Sequence, residues 1–414
     1  MRLIKYFLLG TIVSMYFFSF GFTFLPEQIN TKLIFAVLGV CLAVFRSIQA
    51  GVVEINSKLI AAICFAVVFS AIGYFSMDYN YSSDSSYATY IISFSVWMFA
   101  GYFVIICLGT VHDKVDFVLL TYYLVAACVA QCFLALVIDN SPIVKTVVDR
   151  YIEQGQTFLN DIGRLYGVGA SLDNAGVRFS IVLLMLSAVL INSWKVQKDT
   201  LMLLLFLSAF IVIITVGNII ARTTSAGAAL ALIYLFFGTG VWRFLMKKQL
   251  VKLYLFFVLI LVIVAFLANY LYKTNDVFHD YMRFAFEGFF NWMEKGEWKT
   301  SSTDRLNSVM WIWPDANDYK TWLIGKATFD DWHAVGTDIG YCRFVFYNGL
   351  LGLFTFSLFF VYNAWACSQL LPGYALFFLF LLALGFVIWL KVATDLFLIY
   401  ALFYNIGNRE RSTR

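Results

Sequence analysis

Three clusters of ionisable and small residues interrupt this otherwise apolar chain of 414 residues. The first, Asn218-Ile-Ile-Ala-Arg222-Thr-Thr-Ser225-Ala-Gly227, stands between two apolar runs with almost no room for a loop. A guanidinium near hydrocarbon depth costs at least about 2.5 kcal/mol on insertion scales, so it takes a partner or lines a wet cavity. Its planar fork also matches phosphate oxygens two at a time. Arg222 is therefore either an anion clamp for a lipid-linked phosphate arriving from the bilayer or a snorkelling arginine at a helix end. The second cluster runs from Asp161 through Arg164, Gly167, Gly169, Asp173 and Gly176 to Arg178. Its glycines allow close backbone approach to a ligand and expose amide donors, and no GK[ST] follows, so it is not a P-loop. Arg164 and Arg178 are phosphate or sugar contacts on one reading. On the other they belong to a flexible loop with Arg178 as an interfacial anchor.

The third cluster begins at Thr303-Asp304-Arg305, passes Trp311-Ile-Trp313-Pro314 and Gly325-Lys326, and reaches His333. It continues into Thr337-Asp338-Ile-Gly340-Tyr341-Cys-Arg343 and on to Gly349 and Gly352. If this re-entry is helical, Asp338 and Arg343 lie within about a turn and a half of each other. Asp338, or His333 in its place, could accept a proton from a sugar hydroxyl, while Arg343 or Arg305 stabilises a phosphate leaving group. The alternative is a structural ion pair closing the helix end. Lys391 and Asp395 are four apart in an apolar stretch, where a helical pair would lower the cost of both. Trp292, Trp298, Trp311, Trp313, Trp322 and Trp332, six of the 11 tryptophans, fall in the same region. They stack on sugar faces or anchor a membrane interface.

The elements that must position these groups are membrane spans. Apolar residues make up 62% of the chain and charged ones 13%, against roughly 25% charged in soluble domains. Apolar runs of spanning length fall near 6–25, 33–50, 59–77, 88–108, 117–138, 176–194, 201–219, 226–242, 253–272, 339–366, 374–390 and, doubtfully short, 396–406. The expected fold is all-α, a polytopic transmembrane bundle of about 11–12 spans, in one integral membrane domain over 1–414. The first run follows Arg2 and Lys5 but lacks a small-x-small cleavage site, so it reads as an anchor that stays. Pro26, Pro142, Pro314 and Pro372 all lie between runs, where helices should end. Basic residues in short loops are held on the cytoplasmic side. That rule puts the N-terminus inside with Arg46, Lys58, Lys114, Lys195 and Lys198, and leaves most acidic residues outside. Two long outer segments result, 139–175 and 273–338. The second is too rich in aromatics to be disordered and should fold into short amphipathic helices on the membrane surface.

Composition also excludes several classes. A net charge of +4, dispersed along the chain, gives no nucleic-acid footprint. The seven cysteines lie in or beside apolar runs without a CxxC pair, and the three histidines are scattered, so no metal and no cofactor is expected.

The GNIIARTTSAG stretch around Arg222, the large outer segment after it, the TDIGYCRFVFYNGLLGL re-entry and the late Lys391 together resemble the bacterial O-antigen and capsule polymerase family, relatives of the O-antigen ligases. The resemblance implies a membrane-embedded, metal-independent inverting glycosyltransferase with an architecture like the GT-C class. Its members work on the periplasmic face of the inner membrane and join an oligosaccharide on undecaprenyl diphosphate to a second carrier-linked repeat unit. Besides that donor and membrane lipid, a chain-length-determining membrane protein is an implied partner. For such a polymerase the residues of this chain expected to hold the donor diphosphate are Arg222, Arg305 and Arg343, with Asp338, or His333 in its place, assisting the acceptor hydroxyl. Ligases carry a histidine before the GLLGL-like turn where this chain has Asp338, a departure that favours polymerase over ligase. A lipid-linked glycan flippase is a further alternative, which the clustering of ionisable residues on one side disfavours.

Overall fold

The structure, a computed structural model, describes residues 2–51, 56–161, 164–240, 248–329 and 335–412. Almost every ordered element is a helix, as hydrocarbon requires of a backbone that cannot bond to solvent. Eight helices among the described residues are long and apolar enough to cross a membrane. They coincide with eight of the apolar runs. Three further runs appear as the shorter helices Thr224–Gly238, Pro372–Ile388 and Phe397–Gly407. The first run is the 16-residue helix Arg2–Phe17, short of the roughly 20 residues that span a bilayer. The class is thus a multi-pass, all-helical membrane protein. The chain divides into two compact units, Met1–Thr31 with Val111–Thr300 and Lys32–Thr110 with Ser301–Arg414, so the long 273–338 segment is shared between them.

In the first unit, helix Leu172–Asn192 is the axis. Every residue from Ala175 to Leu190 is buried, the state expected of a helix that is apolar all round. It packs against Thr224–Gly238, Thr200–Ile220 and Phe117–Asn140. Small residues let the first of these contacts close. A Cβ on Gly227 would lie 2.2 Å from the Ser180 Cα, and one on Gly176 would lie 2.8 Å from the Thr223 Cβ. Gly176 and Ser180 are four apart, the small-residue spacing of close-packed membrane helices. By contrast, helix Leu250–Thr274 leaves Leu255 67% and Phe266 79% exposed, apolar surface of the kind a bilayer covers. The Asp199 carboxylate accepts from the Leu201 amide at 2.9 Å and starts helix Thr200–Ile220, as an N-cap does.

The second unit is built on helix Gly340–Leu370, which touches Ser57–Tyr79, Tyr319–Ile324, Ala375–Ile388 and Phe397–Ser412. Its core is aromatic: Phe356 stacks on Phe69 with centroids 4.3 Å apart and on Trp389 at 5.5 Å. The helix is broken at Gly349 (φ 64°, ψ −168°), a conformation open essentially to glycine alone. The break frees carbonyls that a crossing loop satisfies. The Lys326 amide donates to Phe346 O at 2.6 Å, the Ala327 amide to Tyr347 O at 3.0 Å, and the Ser76 hydroxyl to Tyr347 O at 2.7 Å. Gly325 makes the crossing possible, since a Cβ there would sit 2.2 Å from Tyr347 O. The Lys391 to Asp395 stretch is not helical, so its four-residue spacing does not place the two charges one turn apart. The Trp389 indole instead closes the segment by donating to Thr394 O at 2.7 Å. Asp395 accepts from the Phe397 amide at 3.1 Å, opening the last helix.

Candidate functional site

Arg222 lies in the short connection between helices Thr200–Ile220 and Thr224–Gly238. That connection is a gripping device. The Thr224 hydroxyl donates back to Gly217 O at 3.0 Å, and the Ser225 hydroxyl to the Asn218 side-chain oxygen at 2.7 Å. Asn218 in turn donates to Ala285 O at 2.8 Å. Arg222 Nε donates to Phe284 O at 3.1 Å, and Nη1 pairs with Glu287 at 2.6 Å. Both termini of the joint between Asp276–Ala285 and Glu287–Lys295 are therefore held by one turn.

The guanidinium of Arg222 sits 4.0 Å from the centroid of the Phe284 ring, and that of Arg164 sits 4.2 Å from the same centroid. Two cations thus share one aromatic ring, whose negative face attracts each of them. Burial, and then the neighbouring Arg222 charge, pull Arg164 below its ordinary value, while Asp173 acts in the opposite direction. Burial likewise lowers Arg222, with Glu287 acting in the opposite direction. Asp173 accepts a hydrogen bond from the Thr223 hydroxyl, which fixes the carboxylate beside the cluster. The result is a half-buried set of two guanidiniums and two carboxylates. A guanidinium fork already ordered by a carboxylate has the geometry that a phosphate oxygen pair would use.

The remaining candidates are placed differently. Arg178 is 8% exposed; it donates to Asn174 O at 2.9 Å and lies 5.9 Å from the Phe18 centroid, buried in the helix packing of the first unit. In the second unit, Arg343 caps the Phe329 ring at 3.9 Å and donates to Phe329 O, while the Phe329 amide donates to Asp84 at 2.5 Å. Asp338 is exposed and precedes the helix that starts at Gly340. Among the described residues it makes no ion pair with Arg343, because the helix expected to bring them together begins too late. Arg305 is exposed at the end of Ser301–Arg305. His333 lies outside the described residues.

Glu287 and Phe284 were not legible as site residues. The signal available was weak: an acidic residue at the first position of a helix, where it favours the helix dipole, in a segment 65 positions from Arg222. Among the described residues no group of three or more His, Cys, Asp or Glu could hold a metal. Comparison with known families, curated proteins and solved structures finds nothing similar to this chain.

Proposed function

We propose that the chain is a polysaccharide polymerase of a bacterial inner membrane. It takes a glycan from undecaprenyl diphosphate and transfers it to another lipid-linked repeat unit on the periplasmic side, with the N-terminus in the cytoplasm. The observation that carries the reading is the pair Arg164 and Arg222 on one aromatic ring, half-buried where apolar helices end. A lipid-linked diphosphate brings its charge to the membrane boundary, where such a pair could meet it. The apolar spans would accept the carrier, and the arginines would neutralise the leaving diphosphate. In the transfer the acceptor hydroxyl oxygen bonds to the anomeric carbon. The bond from that carbon to phosphate oxygen breaks with its electron pair leaving on the carrier diphosphate, and a carboxylate takes the hydroxyl proton. The protein's contribution is position and charge.

Arg222→Ala should remove long polymer, with transfer falling by about 10²–10³-fold, the usual cost of one such donor, while lipid A core capped with a single repeat survives. Arg222→Lys should restore little, since an ammonium cannot bind two oxygens in one plane. Gel ladders of surface polysaccharide read both variants. A normal ladder from Arg222→Ala would sink the clamp, and loss of the single cap as well would make the chain a ligase.

A further inference from the structure

A row of tryptophans in the second unit has no part in the arginine cluster. Trp313 and Trp322 are stacked, with centroids 5.7 Å apart and planes 17° from parallel, and Trp311 continues the row at 5.9 Å and 30°. Rings in direct face contact would be separated by about 3.5–4.0 Å, so these are displaced sideways and each leaves part of a face uncovered. Trp311 and Trp313 are both 41% exposed.

The row is held rigidly. At one end Met310 is buried against Ile339 and Cys342, and the Thr337 hydroxyl donates to Met310 O. At the other, Asp318 accepts from the Thr321 amide at 3.1 Å and its hydroxyl at 2.6 Å. The Trp322 indole donates to Asp315 O at 3.1 Å. Buried Pro314 separates Trp313 from exposed Asp315. Ordering such a surface in advance removes a cost that binding would otherwise carry.

We propose that Trp311, Trp313 and Trp322 form a saccharide-binding platform that seats pyranose rings of the glycan. A pyranose offers an apolar face of C–H groups and a rim of hydroxyls. The first suits the negative face of an indole, and the second needs polar groups alongside, which Asp315, Asn317 and the Asp318–Lys326 pair at 3.4 Å supply. Those charged neighbours also disfavour immersion of the row in a bilayer, where each would have to be desolvated. The inference rests on the reading of the chain as a glycan-handling enzyme for the reason a saccharide should be present.

The test uses the full-length protein in phosphatidylcholine nanodiscs on a glycan array of carrier-free oligosaccharides from bacterial surface polysaccharides. Wild type should bind members of the array, and Trp313→Ala and Trp311→Ala should each bind about tenfold more weakly, a ratio easily resolved. Trp313→Tyr should keep most of the binding, and Trp298→Ala, which removes a tryptophan outside the row, should keep all of it. Unaltered thermal melting shows that the variants fold. Absence of array binding by wild type, or equal binding by Trp313→Ala, overturns the platform. So does quenching of Trp313 emission, taken as wild type minus Trp313→Ala, by lipids brominated in their acyl chains. No carrier and no transfer enter this measurement, so it can fail while the Arg222→Ala ladder behaves as expected, and the reverse.

Discussion

Arg222 does two jobs whose consequences separate by mutation. Its Nε and Nη1 tie the 284–287 joint to the turn between two apolar helices, and its charge stands beside that of Arg164 on Phe284. The side chain is 14% exposed and that of Glu287 27%, so removing the carboxylate leaves a cation largely out of water. Glu287→Gln should therefore lower stability by roughly 1–3 kcal/mol, read as a drop in melting temperature in detergent, while polymer is still made. Retained stability with lost polymer would instead make Glu287 part of the chemistry. Arg283 and Glu294 provide the contrast. Their side chains are 38% and 47% exposed, and a pair so open to solvent adds little.

At the scale of elements, several apolar runs were legible almost to their ends: the run near 88–108 is helix Tyr90–Leu108, and that near 117–138 is Phe117–Asn140, whereas the first run, 6–25, is helical only to Phe17. Hydropathy reads them because a span is a local property of length and composition. The break at Gly349 was not legible, since continuous apolar sequence runs through it and its cause is a loop crossing from elsewhere. A Cβ on Gly349 would lie 2.3 Å from the Leu323 carbonyl carbon, and the backbone region it occupies costs other residues about 1–3 kcal/mol. Gly349→Ala should thus destabilise by at least about 2 kcal/mol. Gly385→Ala, whose new methyl would meet only a Leu396 methyl at 3.6 Å, should be neutral or gain up to about 1 kcal/mol of helix propensity. Equal melting temperatures for the two variants would remove the claim that the break is enforced by glycine. The placement of Asp338 has a separate cause. With the helix beginning at Gly340, the residue stays in the preceding loop, and its spacing from Arg343 loses its meaning.

For the whole molecule, orientation is the quantity on which the proposed function depends. In a variant stripped of its cysteines, single cysteines at Lys145 and Lys320 should react with a membrane-impermeant thiol reagent in spheroplasts. One at Lys198 should react only after lysis. The opposite pattern would place the arginine cluster on the cytoplasmic side and end the polymerase reading. A charge content of 13% determined by itself that the chain lives in a bilayer and where its helices run, because burial of apolar length in lipid needs no partner. It also marked Arg222, since an ion between two apolar runs is conspicuous wherever it points, and the glycine-rich stretch of the first long outer segment marked Arg164. Only the tertiary structure decided that these two meet on Phe284, that Glu287 answers Arg222, and that Arg178 is a core residue. Those are contacts between segments far apart in the chain, fixed by packing and hydrogen bonds that no local pattern of residues records.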